Sequence, residues 1–255
     1  MVIQTLISLV VLITVFCSAM LGMLVSRILP QNNLTAETKS VVTVSTGVVG
    51  TLTALVLGLL VAGAASSFNT RNEEVILIAA DVIRVDRLLR RYGPEAESVR
   101  DLLQRYTAMK IQDLFPEEAA KLPSSEKLRA LAMLEELQDR LATLDASTPN
   151  QRWLQSQALQ LVGTIMGTRW LLTEQQTTGI ALPLLALVVF WLSLLFFSFG
   201  LFAPRNATAI LALFLCALAV AGAIEMTQDL NVPFQGVIRI SSKPMKDALD
   251  EISLK

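Results

Sequence analysis

The chain has 255 residues, of which 53% are hydrophobic and 17% charged, against about 25% charged residues in a soluble domain. Its formal net charge of −1 gives no electrostatic bias toward nucleic acid. Histidine is absent, which excludes histidine-dependent triads, histidine zinc sites and histidine-ligated haem. The first charge-free run extends from Val2 to Ser26. No basic residue precedes it, and it is far longer than the 7–15 apolar residues of a signal core, so it reads as a retained helix. A second charge-free run covers Ser40–Asn69, a third Gln175–Pro204 and a fourth Asn206–Ile224. Each can cross about 30 Å of hydrocarbon, which takes about 20 apolar residues.

Between the second and third runs every segment has helical periodicity. Val75, Ile78, Val82, Val85 and Leu89 recur at alternating spacings of three and four, so the second crossing is expected to continue unbroken into the polar region. Tyr92-Gly93-Pro94 should end it, because glycine caps a helix and proline cannot extend one. A following helix carries Val99, Leu102, Leu103, Tyr106 and Leu114 and stops near Phe115-Pro116, and another carries Leu131, Leu134, Leu137, Leu141 and Leu144. Thr148-Pro149-Asn150-Gln151 then supplies an N-cap threonine, a proline at the first helical position and a capping-box glutamine. The stripe Leu154, Ala158, Leu161, Ile165 and Leu172 leads on toward the third crossing, with Gly163 and Gly167 placed to admit a close neighbour.

The expected fold is therefore an all-α membrane protein. Four transmembrane helices carry a cytoplasmic helical bundle inserted between helices 2 and 3, and the second transmembrane helix continues into the cytosol. The expected divisions are residues 1–69 for the first two crossings, 70–174 for the bundle, 175–230 for the last two crossings and 231–255 for a cytoplasmic tail. Orientation follows from the basic residues flanking the crossings. Arg71, Arg84, Arg87, Arg152, Arg169, Arg239, Lys243 and Lys246 fall on one side, and only Arg27, Lys39 and Arg205 on the other. This places both termini and the bundle in the cytoplasm.

Few residues offer chemistry. Cys17 and Cys216 sit in apolar runs and read as buried thiols. No nucleophile–base pair, metal cluster or phosphate-binding glycine loop occurs, so no catalytic residue, metal ligand or cofactor is expected and the chain does not read as an enzyme. The second crossing holds Thr43, Ser45, Thr46, Thr51 and Thr53 with Gly47, Gly50, Gly58 and Gly63. Thr46, Gly50, Thr53 and Leu57 share one helical face, which suits either a water-filled path or a tight helix contact. At its inner end Arg71 and Glu74 lie three apart, and an exposed ring of such arginines would attract anions. Glu225 and Asp229 stand at the inner end of the fourth run, either as intramembrane charges or simply reaching water at the interface. Trp170, Trp191 and Tyr92 read as interface or core anchors. Asn231–Gly236 reads as a turn, followed by basic residues that either set topology or meet anionic lipid.

Four stretches resemble a bacterial bestrophin-like membrane family: VIRVDRLLRRYGP at Val82–Pro94, RWLLTE at Arg169–Glu174, FGLFAPRNAT at Phe199–Thr208 and VPFQGVIRISSKPMKDAL at Val232–Leu249. The family is distantly similar to the bestrophins, and the resemblance implies a pentameric channel, largely for anions, with four crossings and cytosolic termini. Arg71 and Glu74 match the end of the arginine–arginine–glutamate pattern that follows the bestrophin second crossing. Ala64 stands where its first arginine would be, Glu73 at a position that is usually aromatic, and no aromatic residue lies between Val41 and Ser67. The resemblance thus implies a homo-oligomeric, channel-like protein in a bilayer handling inorganic ions, without the aromatic neck. The alternative is a non-conducting scaffold whose cytoplasmic bundle binds a partner protein.

Overall fold

The computed structural model describes residues 2–30, 35–115, 124–174, 182–234 and 236–254. Pro116, residues 175–181 at the expected start of the third crossing, and Gln235 of the expected turn lie outside them, as do the side chains of Leu131, Arg169, Trp170 and Leu172. All regular secondary structure among the described residues is helical, with no strand among them. In order they form α1 (Val2–Ile28), α2 (Ala36–Tyr92), a 3₁₀ turn (Pro94–Ala96), α3 (Glu97–Leu114), α4 (Ser124–Ala142), α5 (Pro149–Glu174), α6 (Leu182–Phe202), α7 (Ala207–Leu230) and α8 (Lys243–Ser253). Four of these, α1, α2, α6 and α7, are long and apolar enough to cross a membrane.

The chain divides into two compact units, one of Met1–Phe68, Thr178–Val232 and Gly236–Ile238, the other of Asn69–Thr177, Pro233–Gln235 and Arg239–Lys255. α2 supplies its first half to one unit and its second half to the other.

In the first unit α1 is the central helix. Val11, Val15 and Ala19, four residues apart, form its buried stripe against Val188, Leu192 and Phe196 of α6 and Ala217 and Ile224 of α7. Hydrocarbon surrounds such a unit on all sides, so close packing holds it together in place of water exclusion. Two glycines make that packing possible. A Cβ on Gly22 would fall well inside contact distance of the Phe197 carbonyl oxygen, and one on Gly200 would do the same at that of Ala19. Phe16 meets Phe214 edge to face at 5.4 Å. Asn206 caps α7 by accepting the Ala209 N–H at 2.8 Å, and Arg205 donates to Ser26 Oγ at 2.9 Å. Cys17 and Cys216, expected to be buried, both lie on the outer surface of their helices. An apolar run in a membrane helix has no need to turn its thiol inward.

The second unit is built like a soluble bundle. Val75, Ile78, Val82, Val85 and Leu89 of α2 are all buried, as are Val99, Leu102, Leu103 and Tyr106 of α3. Gly93 ends α2 at φ +129°, a conformation that side chains resist. The capping box at α5 is reciprocal: Gln151 N–H donates to Thr148 Oγ1 and Thr148 N–H to Gln151 Oε1, each at 3.1 Å. Gly163 and Gly167 have open space where a Cβ would stand.

The tail folds back as α8. Met245, Ala248 and Ile252 are fully buried, and each large side chain so placed is worth about 1.5–3 kcal/mol. Gln104 of α3 donates to the Ile252 carbonyl at 2.7 Å, Arg87 of α2 pairs with Glu251 at 2.6 Å, and Arg90 donates to the Leu254 carbonyl. Lys243 and Lys246, read from the sequence as part of a basic tail, thus belong to a helix packed against α3.

Candidate functional site

The first half of α2 has three faces. One packs within the unit: Gly50 faces Leu195, with a Cβ there 3.8 Å from its methyl group, Thr53 is 3% exposed, and Val56, Leu57 and Leu60 lie against the α1–α6–α7 core. The second carries Thr43, Gly47, Thr51, Ala54, Gly58 and Ala62 at steps of four, four, three, four and four, all exposed. The third carries Val41, Val44, Val48, Leu52, Leu55 and Leu59, also exposed. Only 11% of the most apolar window of α2 is buried, against 17% for α7 and 33% for α1 and for α6, so most of this first half of the helix has no partner among the described residues of its own subunit.

The four residues expected to line a path therefore sit together, on the inward face. Thr46 is half-buried and donates to the Val42 carbonyl at 2.7 Å, and Thr53 donates to that of Val49 at 2.7 Å. These back-bonds satisfy both hydroxyls without water. The exposed small face was not singled out from the sequence. It carries threonine and glycine at the same helical spacing, and only the position of Leu195 and the α1–α6–α7 core tells the two faces apart.

Arg71 and Glu74 are brought together as expected, but inside the second unit, at 2% and 7% exposure. Burial lowers the Arg71 pKa against the attraction of Glu74. Burial likewise raises the Glu74 carboxyl above its usual range, with Arg71 pulling it partly back. In both groups the loss of hydration outweighs the partner. Glu73, the next residue along, is exposed.

Glu225 and Asp229 are both half-buried at the end of α7. Asp229 serves the turn that follows, its Oδ2 accepting the Val237 N–H at 3.1 Å. Gly236 turns beside it at φ +110°, where a Cβ would stand 2.9 Å from Asp229 Oδ1. Among the described residues, no group of three or more histidine, cysteine, aspartate or glutamate side chains could hold a metal ion.

A single helix running from a membrane-type helical unit into a helical bundle, which also takes in the chain's last helix, defines a multi-span, all-α membrane protein. The sequence matches the model described as a Bestrophin-like domain over residues 12–245, and the chain belongs to the bestrophin-like family. Solved structures agree on the fold. A bacterial bestrophin homologue from Klebsiella pneumoniae, solved by zinc phasing, superposes with a TM-score of 0.70 at 12% identity, covering 96% of each chain. A point mutant of the Klebsiella homologue gives 0.69 at 13% identity over 96% of this chain and 98% of that one. No curated protein matches the chain significantly in sequence.

Proposed function

We propose that the chain forms a homo-oligomeric ion channel in the bacterial inner membrane, with both termini and the helical bundle in the cytoplasm. Resemblance to the bestrophins makes the oligomer a pentamer with α2 of each subunit around the axis. The observation that carries this reading is the lack of partners along α2. Its small face and its valine–leucine face are both open in the subunit, and a ring of copies would cover one while turning the other to the axis. The small face, Thr43 to Ala62, is the weakly polar one and suits the water-filled side. Thr46 lies at its edge, and Gly50, Thr53 and Leu57 serve as the support behind it.

Anion conduction is what the family resemblance suggests, with Arg71 near the inner mouth. One observation favours cations instead: Arg71 is buried whereas Glu73 is exposed, and an exposed carboxylate ring attracts cations. The deciding experiment is ion flux in liposomes for the wild type and for Ala54→Trp, with oligomer size measured in parallel. Flux that Ala54→Trp abolishes in an intact oligomer supports the channel. An intact oligomer with no wild-type flux would favour the scaffold reading, in which the bundle binds a partner protein.

A further inference from the structure

The second unit contains an open groove that the ion-channel reading leaves unused. It lies between α2 and α5 and has a volume of about 470 Å³. Arg84, Arg87 and Arg91 line it from α2, and Trp153, Gln157 and Gln160 from α5. The remaining lining residues are two leucines and a threonine, so the lining itself has no acidic side chain, and the nearest carboxylates, Asp81 and Glu251, lie behind two of the arginines as their ion-pair partners.

The three arginines stand at i, i+3 and i+7 on one helix, spanning about 10 Å at a rise of 1.5 Å per residue. Like charges at these spacings repel, and the fold offsets this only in part. Arg84 pairs with Asp81 and Arg87 with Glu251, yet both arginine side chains remain about two-thirds exposed, at 67% and 69%. Each has five N–H donors, so the pairs leave donors to spare. Arg91 makes no ion pair among the described residues and is exposed. Across the groove Gln157 and Gln160 offer amide donors, and Trp153 is 53% exposed, an uncommon setting for a tryptophan on a bundle surface. The groove is rich in donors, cationic and large enough for a small molecule.

We propose that this groove binds a soluble anion carrying two or more phosphate groups, with Arg84, Arg87 and Arg91 as its phosphate forks and Trp153 at its edge. Guanidinium forks match phosphate oxygens bidentately, and three of them in a row suit a ligand whose charge is spread along about 10 Å. The site stands whether or not the protein conducts ions.

The test uses the full chain in nanodiscs of neutral lipid, with Trp170→Phe and Trp191→Phe so that Trp153 alone reports. Inorganic triphosphate is the probe. A saturable change in Trp153 emission is expected, weakening as salt is raised. Arg91→Gln should weaken it at least tenfold, whereas Arg105→Gln, an exposed arginine that does not line the groove, should leave it unchanged. Arg91→Lys, which keeps the charge, should retain part of the binding and shows that the fold tolerates change there. No saturable response, or equal binding by Arg91→Gln, overturns the proposal. So does a response that appears only with anionic phospholipid in the nanodisc, which would assign the arginines to a lipid headgroup. Dissociation of the oligomer by Arg91→Glu would overturn it as well, making the groove a contact between subunits.

Discussion

Arg100 donates through Nε to Asp86 Oδ1 at 2.9 Å, and the two residues are only 8% and 3% exposed. Asp86 also accepts from Arg90 at 2.7 Å, and Arg100 from α3 reaches Glu97 at 2.9 Å. Burial works against the Arg100 charge, but the two carboxylates outweigh it and raise the Arg100 pKa. Removing Asp86 leaves the buried Arg100 guanidinium with the exposed Glu97 alone. Asp86→Asn should therefore destabilise the bundle by about 3 kcal/mol, as breaking a buried ion pair does. Replacing both residues, Asp86→Leu with Arg100→Met, should recover most of that loss in thermal melting. A double variant as unstable as the single one would mean that the pair does more than satisfy its own charges.

Glu74 predicts a pH dependence. Its folded-state pKa lies above the ordinary glutamate value of 4.5, so protonation favours the folded state. The stability contributed by the neutral form is fully present below about pH 4.5 and is lost as pH rises through the folded pKa. Glu74→Gln, which mimics the neutral form, should match the wild type near pH 4 and melt at a higher temperature at pH 7. A difference in melting temperature that stays constant across this range would show that Glu74 is not the group titrating.

Glycines make a third, paired prediction. Gly200→Ala forces a methyl group toward the Ala19 backbone carbonyl, which cannot swing aside as a side chain can. The expected cost is about 1–3 kcal/mol or more, read as a lower melting temperature in detergent. Gly163→Ala meets nothing within 4 Å and removes a flexible residue from a helix, so it should stabilise by about 0.5–1 kcal/mol. If Gly163→Ala instead weakens the oligomer, a neighbouring subunit packs there.

Selectivity supplies the fourth. If the exposed Glu73 faces the inner mouth, Glu73→Gln should shift the reversal potential toward the chloride equilibrium in a bi-ionic gradient. No shift in a conducting oligomer would remove this carboxylate from the ion pathway.

The crossings were legible because a charge-free run of sufficient length needs no neighbour to explain it. The ends of the polar helices were legible for a similar reason: Tyr92-Gly93-Pro94 and Thr148–Gln151 act through their own backbone. Facing is a different matter. Threonine and glycine recur on two sides of α2, and the choice between them depends on Leu195, about 140 residues further along the chain. The α8 helix was not read because Arg239, Lys243 and Lys246 counted as the basic residues of a tail that set topology. The stripe Met245, Ala248 and Ile252, at spacings of three and four, was there to be read. The burial of Arg71 was not legible, because it requires a tertiary setting that the local sequence does not display.

The close approach of Gly22 and Gly200 to each other's helices also bears on how the protein is made. The surface that α1 buries has its counterpart on α6 and α7, and both helices follow α3, α4 and α5 of the polar bundle in the chain, with only α8 after them. During synthesis the first helical hairpin would enter the bilayer with that surface still unmatched. Most of the bundle would emerge before α6 and α7, the partners that α1 awaits. Membrane packing is thus a late event in biogenesis.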